Sequence, residues 1–212
     1  MNERILGDKK HIFWDFDGVI KDSVEIKSNA YEELFSQWGD VLAIRVRDHH
    51  KLNGGMSRFD KIPLYLSWSN EKVSETLINK LCDDFSKLVK SKVINSPWVP
   101  GAVDMIRFIN DIGFSSYVIT ATPQDEIIDI LKEIEIISFF KEIIGAPIKK
   151  TDSIGSIIKK YKIIKEDAVM IGDSQTDLVA ANNNDIDFIL RKTNDNQDLQ
   201  YEINITMVDD FK

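Results

Sequence analysis

Short apolar runs punctuate the chain, and helical periodicity fills most of the intervals between them. The first run, His11–Phe16 (HIFWDF), is rich in aromatic residues, and Gly18 just beyond it marks a turn. Similar runs follow at Ser116–Thr120 (SYVIT), Glu142–Gly145 (EIIG), Ala168–Gly172 (AVMIG) and Asp187–Leu190 (DFIL). One helix is marked by Val103, Ile106 and Ile109. Another follows from Ile127, Ile130, Leu131 and Ile134, and a third from Ile154, Ile157, Ile158 and Tyr161. Unbroken apolar strands alternating with helices predict βα units and a parallel sheet with helices on both faces, an α/β fold.

Residues 23–94 follow a different pattern. Tyr31, Leu34, Phe35 and Trp38 repeat at helical spacing, and so do Val73, Leu77, Leu81, Phe85 and Leu88, with Asn70 as the expected N-cap of that second helix. No strand pattern interrupts them. The cluster Pro97, Pro100 and Gly101 marks the return to the sheet. The division expected is therefore an α/β core of residues 1–22 and 95–212, with a helical unit of residues 23–94 between its first strand and the rest.

A chain of 212 residues with 43% hydrophobic content can bury one ordinary core and a small second unit. The formal net charge of −8 argues against generic binding to nucleic acid or to anionic membrane. An anionic substrate would have to be attracted locally, by a metal or a few placed Lys and Arg. Cys82 is the lone cysteine and reads as a small apolar helix residue, which leaves no intrachain disulfide and no cysteine zinc site. No run reaches the ~18–20 apolar residues that span a bilayer. The opening MNERILGDKK has no apolar stretch behind it, so a cytoplasmic protein, monomer or homodimer, is expected.

Ligands of open parallel sheets bind beyond the carboxyl ends of the strands, so the polar residues there carry the candidate chemistry. Asp15-Phe16-Asp17-Gly18 places two carboxylates at the end of the first strand. Gly172-Asp173-Ser174-Gln175-Thr176-Asp177 places two more after the strand AVMI. Ser174 with Asp177 also fits a capping box, which accounts for Asp177 structurally but not for Asp173. Converging carboxylates suit a hard cation such as Mg²⁺. Thr120 ends its strand with a free hydroxyl, whereas Thr122 before Pro123 reads as a helix N-cap. The pair Lys149-Lys150 offers a cation that would offset the carboxylates and grip a phosphate.

The order strand–DxDG, strand–Thr, loop–Lys, strand–GDSxxD resembles the haloacid dehalogenase-like hydrolase superfamily, in its members with a helical cap after the first strand. The resemblance implies a Rossmann-like core under that cap. It implies Asp15 as nucleophile, Asp17 as acid/base, Thr120 as phosphate-binding hydroxyl and Lys150, or Lys149, as the stabilising lysine. It also implies Mg²⁺ held by Asp15, Asp17, Asp173 and Asp177, and Gly18 and Ala121 beside the substrate. An Asp at position 17 points to phosphomonoester hydrolysis or phosphomutase chemistry, since dehalogenases and phosphonatases of the superfamily lack it. Asn53-Gly54-Gly55-Met56-Ser57-Arg58 is expected to form a loop reaching the active site, with Arg58 similar in placement to substrate-binding cap arginines. The basic run Arg45–Lys51 reads as a solvated loop.

The expected function is Mg²⁺-dependent hydrolysis of a small phosphate monoester, such as a sugar phosphate, through an aspartyl-phosphate. The alternative within the superfamily is a phosphomutase of the β-phosphoglucomutase type. Outside it stand a phosphoryl-accepting receiver domain and a catalytically silent binding module. The helical unit and the late GDSxxD loop oppose the receiver. The clustered carboxylates, which only repel one another if unused, oppose the silent module.

Overall fold

A computed structural model describes residues 5–69, 71–202 and 205–212. Six strands form one parallel sheet: β1 (His11–Trp14), β2 (Ser115–Pro123), β3 (Phe140–Ala146), β4 (Ala168–Gly172), β5 (Asp187–Arg191) and β6 (Thr206–Val208). Their order is β3-β2-β1-β4-β5-β6. Central β1 pairs His11 with Ser115 on one side and with Ala168 on the other. Between β1 and β2 lie α1 (Val24–Phe35), α2 (Asp40–Leu52), α3 (Arg58–Ser67) and α4 (Glu75–Ile94). Helix α5 (Ala102–Asp111) leads into β2, and α6 (Gln124–Glu133), α7 (Lys150–Tyr161) and α8 (Gln175–Asn183) connect β2 to β3, β3 to β4 and β4 to β5.

The central strands β1 and β4 are almost wholly apolar because both faces of the sheet are covered there. Ile12 and Trp14 point to one face and pack with Met105, Ile106, Ile127 and Ile130 of α5 and α6. Phe13 points to the other, where Ile154, Ile157 and Leu178 of α7 and α8 meet it. The first cluster continues without a break into the helical segment, through Phe16, Tyr31, Phe35, Tyr65 and Phe85. There the Tyr31 and Phe85 rings stack at 4.0 Å between centroids.

The chain leaves and re-enters the sheet region at adjacent points. Asp22 N–H donates to Pro97 O at 2.9 Å, Val99 N–H donates to Ile20 O at 3.0 Å, and the Lys21 ammonium lies 4.2 Å above the Trp98 ring.

Several expected elements take other bounds. Strand β2 continues through Thr122 to Pro123, so Thr122 is a strand residue and not a helix cap. Residues 45–51, expected as a loop, lie in α2, which buries Ala43, Val46 and His50 along one stripe. Trp38 falls in a 3₁₀ turn after α1. The long helix α4 starts at Glu75, with Ser74 accepting from Leu77 N–H at 3.2 Å; Val73 precedes it, and Asn70 lies outside the described residues. Strand β6 was not expected from the sequence.

Candidate active site

The polar fragments that follow the strands gather at the carboxyl edge of the sheet. Asp15 N–H donates to Ile171 O at 2.9 Å, so the β1–β4 pairing runs one residue past Trp14 and fixes where the Asp15 side chain projects. Its Oδ1 accepts from Phe16 N–H at 2.7 Å, and its Oδ2 lies 2.8 Å from Lys150 Nζ. Burial pushes the Asp15 carboxyl up to about 7, against the pull of Lys150 and with the help of Asp177.

Lys150 opens α7 and is buried, whereas its neighbour Lys149 is exposed. The Lys150 ammonium bridges Asp15 Oδ2 and Asp177 Oδ1, the latter at 2.7 Å. Burial works to lower it, but the two carboxylates prevail and raise it above the usual lysine range. Asp177 is fully buried. Its second oxygen accepts from the Ser174 hydroxyl and, at 3.2 Å, from Ser174 N–H; the latter bond, with the Ser174 side chain accepting from Asp177 N–H, makes a capping box at the start of α8.

Asp173 has no side-chain hydrogen bond or ion pair among the described residues. Burial together with Asp15 and Asp177 drives its carboxyl well above the ordinary range. It sits against Gly18, whose φ is +77°, and a Cβ there would lie 2.0 Å from Asp173 Oδ2. Gly18 therefore makes room for a carboxylate, and it does not line the cavity over Asp15 and Asp17.

Asp15, Asp173 and Asp177 can each offer an oxygen within 4.8 Å of the others. Once ionised, these three carboxylates against the single Lys150 ammonium would leave an excess of two negative charges, the charge of one divalent cation. The all-oxygen donor set and the unpartnered Asp173 fit a hard cation.

The Asp17 carboxylate is outside that group. It accepts from the Ser23 hydroxyl at 2.6 Å and from the Thr122 hydroxyl at 3.0 Å, and it pairs with the Lys27 ammonium. Burial would raise this carboxyl, but Lys27, Ser23 and Thr122 hold it below its ordinary range. Thr120 is buried, and its Oγ1 accepts from Thr122 N–H at 3.2 Å, which leaves its hydroxyl proton to donate elsewhere.

Arg58 is not at the carboxylates. Its guanidinium forms a fork with Glu126 of α6 at 2.7 and 2.9 Å and also bonds the Ser86 hydroxyl, with both ends of the pair buried. Among the described residues Arg58 is the cation that pairs with Glu126, and in this arrangement the guanidinium is held by that partner.

Lys27, His50, Gly54 and Gly55 of the helical segment close over Asp15, Asp17, Thr120, Ala121 and Asp173. The enclosed space holds about 20 Å³. A second cavity of about 290 Å³ opens beside it between the Gly55–Ser57 turn and Thr120, Ala121, Ile148 and Lys150. Sequence reasoning missed Lys27, Ser23, Thr122 and His50. Of these, only Thr122, two residues beyond Thr120 in a strand-end run, carried a signal that could have found it.

A carboxylate held on lysine beside an acidic group that could hold a cation, with hydroxyls around it at a sheet edge, is an arrangement suited to handling phosphate esters. Residues 12–191 match the model of the family described as haloacid dehalogenase-like hydrolase, and the chain belongs to that family and is a phosphatase. A phosphoglycolate phosphatase of Vibrio vulnificus is 27% identical over 184 residues, covering 82% of this chain and 79% of that one. Among solved structures, CbbY from Rhodobacter sphaeroides, in a mutant form with xylulose-(1,5)bisphosphate, superposes with a TM-score of 0.78 at 16% identity, covering 96% of this chain and 95% of that one. The β-phosphoglucomutase of Clostridium difficile superposes at 0.75 and 17%, covering 96% and 92%. These two likenesses concern the fold. Among the described residues no helix is long and apolar enough to cross a membrane.

Proposed function

We propose that this phosphatase hydrolyses small phosphate monoesters through a phosphoryl group carried on Asp15, with Mg²⁺ held by Asp15 and Asp173. The observation that carries the reading is the Asp15–Lys150–Asp177 chain beside the unpartnered Asp173. When bound, Mg²⁺ would offset the charge of the phosphate and favour the ionised form of Asp15. Asp15, fixed by the Phe16 N–H and Lys150, is the nucleophile. Lys150 stays charged between two carboxylates and stabilises negative charge as it builds on the transferring group. Asp177 positions Lys150 and the Ser174 turn, so its main work is orientation. Thr120 donates its free hydroxyl proton to a phosphate oxygen, and Ala121 lines the same cavity. Asp17 is the acid/base. Since Lys27 and Thr122 hold it ionised, it acts after leaving that pairing and taking a proton. The helical segment covers the site and acts as the cap.

The relatives named for phosphoglycolate direct attention to short phosphorylated acids. The test is a panel of phosphorylated metabolites assayed for phosphate release with Mg²⁺ and with EDTA, plus rapid quench with ³²P-labelled ester. Acid-stable label should appear on the wild-type protein and be absent from Asp15→Asn. Asp17→Asn should label with an aryl phosphate but turn over on the order of 10²–10⁴-fold more slowly. Label on Asp15→Asn, or an isomerised product without phosphate release, would overturn the reading.

A further inference from the structure

Lys61 lies in the first turn of α3 and is 1% exposed, yet it has no carboxylate partner among the described residues. Its one hydrogen bond, to Gly54 O, is long at 3.5 Å. Every other buried lysine with charge near the site is paired: Lys150 with Asp15 and Asp177, and Lys27 with Asp17. A buried ammonium without a counter-charge costs several kcal/mol, and such groups are ordinarily paired or exposed. Its Nζ lies 5.7 Å over the Tyr31 ring, a weak contact for an ammonium, and the repulsion of Lys27, Lys150 and Arg58 opposes the attraction of Asp17.

The place of Lys61 explains what it could serve. The carbonyl it reaches belongs to Gly54, which lines the closed cavity over Asp15 and Asp17. Lys27 of α1 and His50 of α2 line the same cavity, and Lys61 of α3 lies behind it, against the Gly54 carbonyl. His50 is bonded to the Ser28 hydroxyl at 3.0 Å and is kept neutral by burial and by Lys61 and Lys27. Lys27 is satisfied by Asp17. Lys61 is left as the buried basic group without a carboxylate partner among the described residues; burial and Lys27 hold its amine well below the usual lysine range, and an anion beside it would restore the charge.

We propose that Lys61 is a specificity-determining residue that receives a second anionic oxygen group of the substrate, carboxylate or phosphate, a few bonds from the ester being cleaved. The inference rests on the phosphomonoester reading of the site. The ester phosphate takes the Lys150 and Thr120 side, and the second anion supplies the counter-charge that the fold withholds from Lys61. The tightness of the enclosed space favours a short spacer.

Ethyl phosphate, 2-phosphoglycolate and ethylene glycol bisphosphate share a two-carbon frame and differ in the tail, and comparison of kcat/KM on the three tests the assignment. The wild-type enzyme should prefer at least one anionic tail, and which one identifies the oxyanion. In Lys61→Met the loss on that ester should exceed the loss on ethyl phosphate by on the order of 10²-fold, expressed mainly in KM. Thermal stability of Lys61→Met should hold or rise, because a buried amine with no carboxylate partner is replaced by an apolar side chain of similar length. Equal losses on all three esters, or a lowered melting temperature with the tail preference intact, would assign Lys61 to packing and overturn the proposal. Calorimetric binding of phosphonoacetate against ethylphosphonate, with Mg²⁺, reads the same preference without turnover. If no ester is hydrolysed, the hydrolase reading fails, and this comparison still decides Lys61: tighter phosphonoacetate binding that Lys61→Met abolishes supports it, and indifference refutes it.

Discussion

Arg58 illustrates how a single side chain changes meaning once its surroundings are known. A cap arginine near a glycine-rich turn suggests a substrate contact, but burial with Glu126 makes it a tie between α3 and α6. Removing one member of a buried pair strands the other, and that typically costs about 3–5 kcal/mol. Urea denaturation of Arg58→Ala should show a loss of this size, with much of it recovered when Glu126 is also replaced by an apolar residue. A loss under about 1 kcal/mol would show that the pair is solvated in solution. Asp15, Asp17, Thr120, Lys150 and Asp173 were legible as candidates because polar residues directly after apolar strands stand out. Lys27, His50 and Lys61 were not. A polar residue on an amphipathic helix looks solvent-facing until a second element is laid over it, and nothing local encodes that neighbour.

At the level of elements, the strand ends read clearly and the helical segment less so. Strand patterns were visible because burial on both faces leaves unbroken apolar runs. Helix α2 was lost because its buried stripe is only Ala43, Val46 and His50, flanked by charges. Strand β6 has three residues and sits at the sheet's edge, too short for a pattern. The turn after β1 is where element geometry meets chemistry. Gly18 adopts positive φ, and its bare Cα lets the carboxylate of Asp173, from the β4 loop, come close. Gly18→Ala would strain the turn and displace Asp173 together. The Mg²⁺ concentration giving half-maximal activity should rise about 10–100-fold, the usual range for disturbing groups that orient metal ligands. An unchanged metal titration would remove Asp173 from the metal site.

For the whole molecule, the closed arrangement poses a problem of access. The enclosed space of about 20 Å³ is room for about one water, so lifting of the helical segment is the expected way for a phosphate ester to reach Asp15. The contact that must part is close: a Cβ at Gly55 would lie 1.8 Å from Thr176 Oγ1 and 3.1 Å from Thr176 Cβ. That separation is slightly under the ~3.5–4.5 Å between Cβ atoms of a disulfide. Oxidised Gly55→Cys/Thr176→Cys should therefore be locked shut and inactive, with activity restored by dithiothreitol. Full turnover in the oxidised form, its cross-link confirmed by mass spectrometry, would show that substrate reaches Asp15 without this movement.

The paired crossings at Asp22–Pro97 and Ile20–Val99 would serve that movement as a single axis. A body swinging on one axis is one gate. If ester, alcohol and phosphate all pass through it, its opening frequency sets a common ceiling on turnover. For esters with progressively better leaving groups, kcat should climb and then level off, and the plateau would measure the door rather than the chemistry behind it.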